Sequence, residues 1–376
     1  MRKVRLSGLL SLIALPLLAS LGAQAQSWSF TGNMQQTRHY FTATLLNNGQ
    51  VLVAGGTHRG AAALAEAELY NPATGNFTIT GSLNTARHGH TATLLNNGKV
   101  LIAGGVDASN TALSSAELYD SATGTFTPTG SSSCACRYAA TLLPTGKVLF
   151  TGGFDGNNAV STSELYDPTS GAFSGTGTLN VARAGPSATL LGNGKVLVAG
   201  GVFYTGVIPF TAVPHYLASA ELYDPTSGTF TLTGSLHTAR SGQSATLLKS
   251  GTALLAAGQN DNTQNSGYLS SAELYNPSTG KFTVTGSLNT PRFLHTAHLL
   301  GSGQVLIVAG NHFGSIASAE LYNPTNGTFS NTASLNVPRQ GHASALLTNG
   351  QVLAAGGYES QLGSRLGDLA SAELFH

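Results

Sequence analysis

Apolar and polar positions in this chain follow a short grammar that is used again and again. In ARHGHTATLLNNGKVLIAGG, Ala86 to Gly105, an Arg and a His precede Thr-Ala-Thr-Leu-Leu, a half-apolar run of strand length. Asn97-Gly98 follows, a pair suited to the positive φ angles of a two-residue hairpin. Val100 to Ala103 is an unbroken apolar run, which predicts a strand buried on both faces, and it stops at Gly104-Gly105. Ala116-Glu117-Leu118-Tyr119 then alternates, Asp120 and Thr123-Gly124 mark another turn, and a fourth strand carries Phe126. Four antiparallel strands in some fifty residues is the unit the pattern predicts.

That unit occurs seven times. Its third strand reads AELY or nearly so at Ala67–Tyr70, Ala116–Tyr119, Ser163–Tyr166, Ala220–Tyr223, Ala272–Tyr275, Ala319–Tyr322 and Ala372–Phe375. An arginine opens each unit, at Arg38, Arg87, Arg137, Arg183, Arg240, Arg292 and Arg339. Fourth-strand aromatics stand at Phe77, Phe126, Phe173, Phe230, Phe282 and Phe329. One such sheet has two apolar faces and cannot bury both, whereas seven arranged around an axis cover one another. The predicted fold is all-β, a seven-bladed β-propeller of four-stranded antiparallel blades over residues 26–376. The last unit ends at His376, after its third strand, while Trp28-Ser29-Phe30-Thr31-Gly32 reads as a fourth strand with nothing before it. The N-terminal strand is therefore expected to complete the last blade and close the ring.

Composition agrees with strands and turns: 47 glycines and only 9% charged residues in 376. Residues 1–25 read differently. Arg2, Lys3 and Arg5 precede an apolar run from Leu6 to Leu21 and then Ala23-Gln24-Ala25, the pattern of a cleavable signal peptide. The expected location is periplasmic or secreted, without membrane insertion. Loss of that leader removes three of 17 basic residues, leaving 14 against 16 acidic ones. A near-neutral chain has no electrostatic footprint for nucleic acid.

Two matched sets of seven dominate the charge. The arginines face Glu68, Glu117, Glu164, Glu221, Glu273, Glu320 and Glu373, one per third strand, and pairing of each Arg with a repeat Glu or nearby carbonyls is expected. Three residues after the arginine, His90, His295 and His342 recur. Backbone-bonded scaffold is the expectation for them, since a metal shared across the ring would need all three to converge. Cys134 and Cys136, one residue apart, are expected to be free or locally bridged. No metal and no cofactor are expected.

The repeats resemble the kelch family, on the double glycines at Gly55-Gly56, Gly104-Gly105, Gly152-Gly153, Gly200-Gly201 and Gly356-Gly357, the later Tyr and the fourth-strand aromatic. Blades five and six depart, with Gly258-Gln259 and Gly310-Asn311, and Phe stands where kelch repeats usually have Trp. The resemblance extends to the central domain of galactose oxidase. It implies a propeller, but the copper enzymes of that group use a Tyr crosslinked to Cys with His and Tyr ligands and a further C-terminal domain, and none of those residues carries over.

First-to-second turns are uniform, while the second-to-third loops differ in every blade, so ligand recognition is expected on the face carrying those loops. The longest, Val202 to Ser219, holds Phe203, Tyr204, Phe210, His215 and Tyr216; Tyr268, Phe313 and Tyr358 stand in later loops. Aromatics among amides suit a glycan or a protein ligand. The reading is a monomeric, non-catalytic binding module with Tyr204, Phe210, His215, Tyr216, Tyr268, Phe313 and Tyr358 as contacts. The alternative is a carbohydrate-active enzyme, such as a sugar mutarotase or epimerase, using Glu359 and the loop carboxylates Asp107, Asp155 and Asp261.

Overall fold

A computed structural model describes residues 26–59, 63–134, 137–206, 212–261, 267–362 and 364–376, with Arg137 and Tyr138 described by their backbone only. The expected leader, 1–25, lies outside them, as do Phe210 and Cys136.

Seven four-stranded antiparallel sheets make up the ring. Six take their strands in chain order. The seventh runs Trp28–Phe30, Ala372–Phe375, Val352–Ala355, Ala343–Leu346. Phe30 stands opposite Glu373, so the N-terminal strand completes the last blade as the repeat phase predicts. Each first strand touches the first strands of both neighbouring blades, from Thr42–Leu45 around to Ala343–Leu346 and back. The first strands therefore form the hub and the fourth strands the rim.

Packing explains why one blade cannot stand alone. Second strands such as Val51–Ala54 and Val100–Ala103 are buried throughout. The apolar residues fall into seven clusters, each spanning two adjacent blades; one joins Val51, Val53 and Tyr70 to Leu353, Ala355 and Ala372. Each buried Val or Leu among them contributes roughly 1.5–3 kcal/mol by leaving water, and each cluster draws its members from two blades.

The aromatics of the third and fourth strands pack in tilted pairs, Tyr70 against Phe77 and Tyr119 against Phe126, both with ring centres 4.8 Å apart. Each of these tyrosine hydroxyls then meets a threonine of the preceding blade: Tyr119 meets Thr80, and Tyr70 meets Thr31, each at 2.9 Å. Thr31 belongs to the N-terminal segment, so the seam repeats the bond that joins other blades. In blade seven Trp28 lies 5.3 Å from Phe375 in place of the Tyr–Phe pair.

The double glycine is a backbone requirement. Its second residue has φ near +100° at Gly56 and Gly201, where a Cβ at Gly56 would come within 2.8 Å of Phe41 Cβ. The first has φ of 58–68°, which Ala can adopt at some strain, and Ala257 and Ala309 occupy it at 59° and 54°. The departures in blades five and six thus replace the first glycine, while Gly258 and Gly310 keep the second.

Candidate functional site

The repeated charges are buried within the blades. Arg87 Nη2 donates to Glu117 Oε1 at 3.0 Å, and Nη1 donates to the carbonyls of Gly104 and Ser115. Glu117 also accepts the amides of Asn84 and Thr85, at 2.7 and 3.0 Å. The same pairing links Arg38–Glu68, Arg183–Glu221, Arg240–Glu273, Arg292–Glu320 and Arg339–Glu373, at 2.6–3.1 Å. Each network ties the entry to a blade, the end of its second strand and its third strand. Burial lowers the pKa of each arginine and the facing glutamate raises it again. Burial and the carboxylate and carbonyl partners of their Nη atoms make these groups scaffold, although Nε of Arg38 and Arg339 is buried without a partner. In blade three, Glu164 takes Ser132 Oγ at 2.5 Å and the Ser133 amide at 3.0 Å.

The histidines are separate from one another in function. His90 Nε2 lies 3.0 Å from Thr42 Oγ1, His295 Nε2 2.9 Å from Ser244 Oγ, and His342 Nε2 3.1 Å from Thr296 Oγ1. Each stitches its blade to the first strand of the preceding one. Burial, then the adjacent arginine, pushes His90 and His295 down to about 3, and His342 well below its ordinary value, so all three are neutral in the fold. Among the described residues, no three His, Cys, Asp or Glu side chains gather in a metal-binding group. Cys134 is disulfide-bonded. Asp107 accepts the amides of Ser109 and Thr111, and Asp155 those of Asn157 and Asn158, at 2.7–2.9 Å. Both carboxylates shape their own loops.

The sequence-predicted aromatics divide into three groups on the loop face. In blade four, Val202–Thr205 and Val213–Tyr216 form a projecting hairpin. Its His215 stacks on Phe203 at 4.9 Å and meets Thr205 Oγ1 at 2.8 Å, so it packs inside its own hairpin. Tyr204 lies 5.9 Å from Phe154 of blade three, beside a groove of about 410 Å³ lined by Asn158, Asn180, Phe203 and Tyr204. Tyr216 faces Tyr204 and Asp261, and burial raises its pKa.

The second group joins blades five and six: Tyr268 stacks on Phe293 at 5.5 Å, with His312 and Phe313 against its edge at 5.8 and 5.5 Å. The third lies on the seam of blades seven and one. Tyr358–Gln361 and Ser364–Asp368 form a second hairpin, whose Tyr358 meets Tyr40 and His39 of blade one, ring centres 6.2 and 5.2 Å apart. Arg365 sits over the Tyr358 ring at 4.3 Å and bonds to Asp368, whose other oxygen takes the Arg59 amide. His39 is 3.3 Å from Asp368, and burial and Arg365 push it down to about 4. The blade-six loop and the blade-seven hairpin are knit together: Ser315 N donates to Ser360 O, and Leu362 N to Phe313 O, at 2.9 and 3.0 Å.

Tyr268, Phe313 and Tyr358 are thus brought onto one arc of the loop face, and Tyr204, His215 and Tyr216 onto blade four. Sequence reading missed Tyr40, His39, Phe293, Arg365 and Asp368. The signal for Tyr40 was present: two residues after the arginine, blades two, four, five and seven have Gly, and blade one does not.

The family model for the Kelch motif matches residues 86–132, the blade-two unit that the structure repeats around the ring. The chain is a seven-bladed β-propeller, and its second blade matches the Kelch motif. Among solved structures, a fungal alcohol oxidase of the AA5 family, in complex with copper, shares the propeller fold at a TM-score of 0.74. It is 17% identical, with 93% of this chain and 76% of that one covered. No curated protein matches the chain. At this identity the oxidase likeness shows the fold alone.

Proposed function

We propose that this kelch propeller is a non-catalytic binding module, exported by its 1–25 leader, that holds a glycan or protein ligand on its loop face. One observation carries the reading. The loops of blades five, six and seven differ in sequence, yet backbone hydrogen bonds knit blade six to blade seven and hold half-buried or exposed aromatics in place. Phe313 is 47% exposed there. Variable loops, stiffened and tipped with rings, suit recognition, because little ordering entropy remains to be lost on binding.

The opposite face offers the contrast, with near-identical turns closed by Lys99–Asp120, Lys147–Asp167 and Lys195–Asp224 ion pairs at 3.1–3.2 Å. Binding is favoured over sugar chemistry because Asp107 and Asp155 each turn one carboxylate oxygen onto two amides of their own loops.

The test offers immobilised mature protein to a glycan array and to a cell-envelope extract. Tyr268→Ala with Phe313→Ala is expected to lose the captured ligand, and Lys147→Ala on the turn face to keep it. The reverse pattern would place binding on the other face and end the proposal.

A further inference from the structure

A collar of seven residues rings the mouth of the hub on the loop face, each standing two places after a blade's arginine. In the six blades other than blade three this residue has a left-handed backbone: Tyr40 at φ 53°, Gly89 at 60°, Gly185 at 57°, Gly242 at 65°, Leu294 at 54° and Gly341 at 60°. Neighbouring members bond blade to blade, as Tyr40 N donates to Gly341 O at 2.9 Å and Gly89 N to Tyr40 O at 2.8 Å. Glycine is the low-strain choice at such a φ, and four blades use it. A tyrosine there holds backbone strain that the ring does not require, and strain of this kind is retained where the side chain has a task.

The Tyr40 side chain has an identifiable destination. Its ring crosses the blade seam onto Gly341, where an added Cβ would lie 3.0 Å from Tyr40 Cε1 and 3.3 Å from Tyr358 Cε1. There the two phenol oxygens stand 3.4 Å apart. Three separate segments brace the pair: Arg365 lies over Tyr358, Asp368 holds Arg365 and the Arg59 amide, and His39 packs on both rings. Burial, then the Tyr40 hydroxyl, raises the Tyr358 pKa, so that phenol keeps its proton and remains a donor.

We propose that Tyr40 and Tyr358 form the primary subsite of the loop face, and that its ligand is a saccharide, a pyranose ring held by the paired phenols. The inference rests on the binding-module reading and narrows it. Two adjacent hydroxyls that both donate and accept, carried on aromatic rings, match a ligand with hydroxyls on its edge and an apolar C–H face. A purely apolar peptide side chain would leave the two phenols no partner beyond each other.

The test compares mature wild-type protein with Tyr40→Gly and Tyr358→Ala on an array of pyranose oligosaccharides, and measures the melting temperature of each. The expected result is a wild-type hit whose affinity falls roughly tenfold or more in Tyr40→Gly, the size of a central contact, while the melting temperature of Tyr40→Gly holds or rises because strain is relieved. If Tyr40→Gly lowers the melting temperature by several degrees, Tyr40 is structural and the subsite is wrong; Tyr40→Asn, which tolerates the same φ, decides the matter should the glycine variant not fold. Binding kept by both tyrosine variants but lost in Tyr268→Ala/Phe313→Ala overturns the subsite and leaves the loop-face reading standing. Capture of an envelope protein with no glycan bound overturns the saccharide assignment alone, and binding kept in every loop-face variant overturns both.

Discussion

Single residues in this chain were legible in proportion to how often they recur. Seven arginines and seven glutamates in a charge-poor sequence pointed to pairing, and the described pairs lie within single blades. Tyr40 and Arg365 fall outside the repeat, and only the fold reveals that both meet Tyr358 at the seam. The recurring histidines make a pH prediction. Their folded pKa values lie below the ordinary 6.5, at about 3 for His90 and His295, so the fold favours the neutral form. The stability they contribute is complete above pH 6.5 and is lost as pH falls from there toward 3, because the unfolded chain takes up protons that the folded chain refuses. Gln243 fills the same position in blade five, donating to Ser187 Oγ at 3.2 Å without titrating. Melting temperatures of wild type and of a His90→Gln/His295→Gln/His342→Gln variant across this range check it. The variant curve should be flatter, although not flat, since His39 and His298, each held near 4, remain. Parallel curves would refute it.

At the scale of strands, the sequence grammar carried the blades because period and turn chemistry agree. Asn-Gly turns, continuous apolar second strands and alternating third strands are local signals, and the structure follows them. The two loop-face hairpins, Val202–Thr205 with Val213–Tyr216 and Tyr358–Gln361 with Ser364–Asp368, were not legible as strands, because these mostly half-buried strands lack the apolar face that gives a buried strand its alternation. The closing strand allows a direct prediction. Trp28–Phe30 covers the edge of Ala372–Phe375, and Trp28 Nε1 also donates to Ala333 O at 3.0 Å. Removing residues 26–32 should expose an unpaired edge, lower the melting temperature and promote self-association, as measured by calorimetry and light scattering. A truncated chain that stays monomeric and equally stable would show that the latch contributes nothing.

Over the whole molecule, the ring divides labour between its two faces. Repeated charges, histidines and Tyr–Phe pairs hold seven blades together, and the turn face repeats itself. What differs from blade to blade gathers on the loop face, above all where blades five, six, seven and one adjoin. Family resemblance could not locate the site, because it describes what the blades share. Hydrogen–deuterium exchange of mature protein with and without the glycan that the proposal calls for tests the division most directly. Protection confined to the amides around Tyr40, Tyr268, residues 311–316 and residues 358–362 is the result this account predicts; protection at the Asn97-Gly98, Thr145-Gly146 and Asn193-Gly194 turns, with the loop face unchanged, would contradict it.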